Sequence, residues 1–197
     1  MKSILSVFAS AAIILSLAGC GVQSIPESKN AVEAAMSEVT NQYKRRSDLV
    51  PQLVDVVRGY AKQEEKVLTE VTEARAKATS ITVDPSKVTP QQLAEFQKSQ
   101  GALGQALGRL LVASENYPEL KSNNNFRDLQ AQIEGTENRI TVARERAIRS
   151  IQDYNNQVSV PPTSWTNSVF FHYDKMPQWD VSADEKTTVE KPPKVNL

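Results

Sequence analysis

Four charged residues, Arg46, Glu64, Glu137 and Arg144, fall on helical stripes whose other members are almost all uncharged. A lone charge in an apolar seam is costly, so each needs an opposite charge from a facing helix, and such pairs can fix helix register. Partners on the same stripe are too distant. At 1.5 Å per residue, Arg46 and Glu64 are about 27 Å apart, and Glu137 and Arg144 roughly 10 Å. The expected partner of Glu64 is therefore Arg144 or Arg139. The sharper reading makes Arg46, Glu64, Glu137, Asn138 and Arg144 the lining of a polar pocket that binds a peptide or small ligand inside a bundle.

Other catalytic ingredients are missing from the sequence. His172 is the only histidine and lies among tail aromatics, where a satisfied or exposed imidazole is expected. There is no Cys/His metal-ligand spacing, phosphate-binding glycine loop or nucleophile motif. Glu64 and Glu65 are adjacent and so point to different helix faces, and the Glu-x-x-His of di-iron bundles does not occur. No enzyme, cofactor or metal is expected.

Cys20 has a different chemistry. "MKSILSVFASAAIILSLAGC" begins with a basic Lys2, continues uncharged from Ser3 to Gly19, and ends on small residues before the chain's only cysteine. The stretch is a little short for a membrane span and reads as a signal peptide. Its tetrad Leu17-Ala18-Gly19-Cys20 resembles the bacterial lipoprotein signal, in which the cysteine is acylated and becomes the new N-terminus. A single cysteine cannot form an intramolecular disulfide, whereas two or more acyl chains hold a protein stably on a bilayer. Gly21 rather than aspartate follows, a pattern that resembles outer-membrane export in Gram-negative cells. The expected location is the cell envelope, lipid-anchored and facing the periplasm or cell exterior.

Composition limits the partners. Without Lys2, 22 basic residues face 23 acidic ones, so no basic surplus invites nucleic acid. The 197 residues are 40% hydrophobic, enough for one domain with a core.

The elements that position these residues are helices, which makes the fold class all-α: an antiparallel up-down bundle. Residues 1–19 are the signal peptide, 20–27 the lipidated N-terminus and a tether, 28–160 the bundle, and 161–197 an aromatic patch followed by a mobile tail. Asn30 with Glu33 offers a capping box. An apolar three-and-four spacing then runs from Val32 to Ala78 without a slip; Arg46 and Glu64 are its charged exceptions. Pro51 lies one position outside this seam. It predicts a kink in one long helix, through its missing donor and its ring; the alternative makes it the first residue of a separate helix.

Thr89, Pro90 and Gln92 open a second helix with a capping box. Gly101, Gly104 and Gly108 share one of its faces and predict close approach by another helix. "KSNNNF" caps a third helix running to "VPPTSW". A short fourth element fits near the C-terminus. The first helix, about 75 Å long, outreaches the second, about 40 Å. Val32, Met36, Val39 and Tyr43 therefore need a cover: the C-terminal segment, a second copy or a protein partner, with a partner or homo-oligomer the expectation.

Three blocks, "RRSDLVPQLVDVVRGYAKQEEKVLTEVTEARAKA", "ENYPELKSNNNFRDLQAQIEGTENRITVARERA" and "YNNQV", resemble the LemA family over about residues 30–158. The resemblance implies a membrane-attached bundle of four antiparallel helices with an unsettled biochemical role. Its recurring positions fall on Arg46, Pro51, Glu64, Arg75, Tyr117, Glu137, Asn138 and Arg144, among others. Gln63 stands where histidine is often found, which weakens any metal or acid–base role there. The functional expectation is a non-catalytic scaffold or interaction module; the alternative is a ligand- or peptide-binding adaptor of an envelope protease.

Overall fold

The computed structural model describes residues 2–179, with side chains from Val22 onward. The side chain of Cys20 and the tail expected after Ser182 lie outside the described residues. The described chain is helical throughout its regular elements: α1 (Lys2–Tyr60), α2 (Glu65–Ser80), α3 (Pro90–Ser114), α4 (Pro118–Ser122), α5 (Asn124–Ser159) and α6 (Thr163–Thr166). A 3₁₀ turn, Lys62–Glu64, joins α1 to α2, and a π-helical turn, Asn167–Phe171, follows α6.

The long elements pack antiparallel. Ser24 on α1 meets Gln157 on α5, while Tyr60 at the other end meets Asn123 just before α5. Arg75 on α2 reaches back to Ser47 on α1, and Arg109 on α3 meets Glu70 on α2. The long helices thus number four, α1, α2, α3 and α5, the count that the family resemblance implied and one more than the three read from the apolar spacing.

The reversal that makes the fourth helix is at Ala61, not at Pro51. Ala61 takes φ −118° and ψ 58°, which ends α1. The three-residue turn that follows keeps the apolar phase, so the seam from Val32 to Ala78 is two antiparallel strips. Glu64 is charged because it occupies this turn rather than a core seam.

At Pro51 α1 remains one helix. Proline lacks the N–H that would bond the carbonyl of Ser47, four residues earlier. The Arg75 Nε donates to that carbonyl at 2.8 Å. A side chain from α2 thereby replaces the hydrogen bond that α1 lost, at a position where Ser47 is buried.

Three further expectations are corrected. The capping box at Asn30 does not form, because α1 continues through it toward its N-terminus. The expected tether, residues 20–27, is part of the same helix, and Ile25 is fully buried. Val32, Met36, Val39 and Tyr43 are also buried. Their cover belongs to the chain itself: Phe96, Ile140, Ile151 and Tyr154, with Trp179 from the C-terminal segment. They do not offer a docking seam.

The capping box of α3 does form. Thr89 Oγ1 accepts from the Gln92 N–H, and the Gln92 side chain accepts from the Thr89 N–H. Asn123 caps α5 through the Phe126 N–H.

The core has two parts. Val50, Leu53 and Val57 pack with α2, the second half of α3 and the start of α5 near the Ala61 turn. Ile25 to Tyr43 pack with the rest of α5 and the C-terminal segment at the other end. That segment is pinned to α5: Tyr154 Oη donates to the Asp174 carbonyl, and Asn155 exchanges two hydrogen bonds with Met176. It takes the place that the short α2 leaves unfilled.

Candidate functional site

Between the two apolar cores lies a polar layer built on Arg46, which is 3% exposed. Its Nη1 meets Glu137 Oε1 on α5 at 2.5 Å. Its Nη2 donates to the Gln100 backbone carbonyl at 2.9 Å and to Gln100 Oε1 at 3.0 Å on α3. The Gln100 amide in turn donates to the Ala78 carbonyl at 3.1 Å. Ala78 is in the last turn of α2, where carbonyls have no partner within the helix. One guanidinium therefore ties α1 to α3 and α5, and through Gln100 to α2. The Arg46 Nε has no hydrogen-bond partner among the described residues.

Beside this layer a cleft of about 260 Å³ opens between α3 and α5. Tyr43 and Arg46 line it from α1; Gln97, Gln100, Gly101 and Gly104 from α3; Glu137, Ile140, Thr141 and Arg144 from α5. The glycines were expected to admit another helix. Instead a Cβ on Gly101 or Gly108 would have nothing within 4 Å, and one on Gly104 would meet only the Arg46 guanidinium, at 3.7 Å. Their face of α3 is open. Cationic groups sit on aromatic rings: the Arg46 guanidinium 5.1 Å from the Tyr43 centroid and the Arg144 guanidinium 5.7 Å from that of Trp179. Phe96 links these rings edge to face.

The structure brings together Arg46, Glu137 and Arg144 from the sequence-derived set. It separates the other two. Glu64 is at the far end, where it accepts from Tyr117 Oη at 3.0 Å; this bond holds the Tyr117 proton and raises its pKa above the ordinary 10.0. The expected pairing of Glu64 with Arg144 or Arg139 does not occur, since the Ala61 turn and the Arg46 layer are separated by roughly 20 Å of helix. Asn138 is exposed and outside the cleft. Gln100, the residue that sequence reasoning missed, left a trace: it fills the gap between Phe96 and Leu103 in the apolar spacing of α3.

The model of the LemA family matches residues 35–197. The chain belongs to the LemA family. The match reaches past Val158, where the resemblance read from the sequence stopped, and takes in the C-terminal segment that completes the second core. It begins downstream of Cys20. A relative, Protein LemA of Metamycoplasma hominis, is 26% identical over 163 residues, 83% of this chain and 68% of that protein. Among the described residues from Val22 onward, no helix is long and apolar enough to cross a membrane.

Proposed function

We propose that this LemA family protein is a lipid-anchored, non-catalytic interaction module of the cell envelope, held by Cys20 and presenting the α3–α5 cleft. The cleft's open glycine face carries this reading. Glycine costs about 1 kcal/mol relative to alanine inside a helix, and at Gly101 and Gly108 no neighbouring atom demands it. A surface kept bare at a cost to helix stability suits a partner's close approach. The sequence supplies no nucleophile–base pair, and the charges of the polar layer are engaged in bonds between helices.

A second reading, a ligand- or peptide-binding adaptor of an envelope protease, is favoured by the cleft's size and lining. About 260 Å³ with Gln97, Thr141 and two arginines suits a small polar ligand or a peptide segment. A photocrosslinking residue at position 101 in intact cells separates the readings. A discrete protein adduct, absent when the same residue replaces the exposed Asn138, is expected for the interaction module. A mass increase of a few hundred daltons or less would favour the small-ligand reading. No adduct at either position would overturn the role given to the cleft.

A further inference from the structure

The end of the bundle that carries Cys20 also carries an apolar surface. Trp165, Val169 and Phe170 are each 67% exposed, and Val160 is 52% exposed. They lie on α6, on the π-helical turn and just before them, where the chain leaves α5 and packs on α1. Ser24, bonded to Gln157 near the end of α5, lies only about 6 Å of helical rise beyond Cys20. Val22, two residues past the cysteine, is exposed too.

The surface is held rigidly. Asn167 donates to the carbonyls of Val158 and Tyr173 and accepts from the Tyr173 N–H, closing the loop on itself. Phe171 and Tyr173 stack 5.4 Å apart beneath it, and Lys29 lies over the Tyr173 ring. Large side chains this exposed on one short element are not the scattered apolar residues of an ordinary surface. Residues 180–197 are mostly charged and polar and contain no aromatic residue, so they do not complement it.

We propose that Trp165, Val169 and Phe170 form a wedge that enters the interfacial region of the bilayer holding the Cys20 lipid. The inference rests on the lipid-anchor reading for its choice of occupant. Tryptophan favours the membrane–water interface because its ring is apolar and its N–H stays hydrated. A lipid chain alone leaves the rod free to pivot; a second contact on the same leaflet fixes which side faces outward, and with it the cleft.

The test replaces lipidation with an artificial tether. The chain from Gly21, which holds the described core from Ile25 onward, carries an N-terminal histidine tag. It is bound to phosphatidylethanolamine–phosphatidylglycerol vesicles containing nickel-chelating lipid and brominated acyl chains. In W179F only Trp165 reports, and its emission is expected to shift to the blue and be quenched on the vesicles. In W165F only the buried Trp179 reports, and it should do neither. Should W179F fail to fold, the difference between wild type and W165F gives the same readout. Unchanged Trp165 emission on tethered protein overturns the wedge, as does emission already blue-shifted in solution, whether through a second copy or the C-terminal tail. Because the tether bypasses Cys20, these outcomes are independent of whether the cysteine is acylated.

Discussion

At the scale of single residues, the structure turns two apparent anomalies into one kind of device. Pro51 removes a hydrogen bond from α1, and Arg75 restores it from α2. Arg75→Ala should strand the buried Ser47 carbonyl and lower stability by about 1–3 kcal/mol. Pro51→Ala should let the helix satisfy that carbonyl itself, so the cost of Arg75→Ala should shrink in the double mutant; urea denaturation of the four-member cycle measures this. Equal costs in both backgrounds would remove the link. Arg46 poses an asymmetric case, because it is buried while the Glu137 side chain is 47% exposed. Glu137→Ala leaves a buried cation without its counter-charge and should cost about 1–3 kcal/mol, screening at Glu137 keeping it modest. Arg46→Met leaves Glu137 where water can reach it but strands the buried Gln100 Oε1, and so should cost at least as much. A markedly smaller cost than that of Glu137→Ala would contradict the role given to the Arg46–Gln100 bonds. Arg46 was legible in the sequence as a charge needing a facing partner. The identity of that partner was not, because choosing among Glu64, Glu137 and the remaining carboxylates requires knowing where the chain reverses.

Among the elements, the helical character of the long segments and the caps at Thr89 and Asn123 could be read from apolar spacing and side-chain chemistry. The turn at Ala61 could not. It contains no proline, glycine or asparagine from Ala61 to Glu64, and it preserves the spacing that a continuous helix would show. Asn30 misled for the opposite reason: its cap chemistry is local, whereas α1 extends beyond it. The glycines of α3 were visible, but whether a small-residue face meets a helix or open space depends on the neighbouring packing. Gly101→Ala should therefore stabilise the protein by about 0.5–1 kcal/mol, with thermal unfolding as the measure; destabilisation would mean that the face is closed. The C-terminal segment has its own pH signature. Burial, helped by the nearby Tyr173 and Asp174, raises the Tyr154 pKa above its ordinary 10.0. A raised folded-state pKa gives stability that is complete below pH 10 and is lost as pH rises through the folded value. Alkaline titration should release the segment from α5, read by Trp179 fluorescence, and Tyr154→Phe should move that transition to higher pH. An unchanged transition would assign it to another group.

For the whole molecule, the polar layer divides the apolar interior into two cores, one closed by the Ala61 turn and the other by the C-terminal segment. The second core begins at Ile25, so the packed part of the bundle starts within a few residues of Cys20. This closeness gives the functional account its shape: an acylated cysteine would place the bundle against the bilayer with almost no linker, the aromatic wedge beside it and the cleft farther out. The intact mass of the mature protein extracted from membranes tests the anchor most directly. The account predicts a chain beginning at Cys20 and carrying a thioether-linked diacylglycerol. A mature chain that begins elsewhere, or one that begins at an unmodified Cys20, would contradict it.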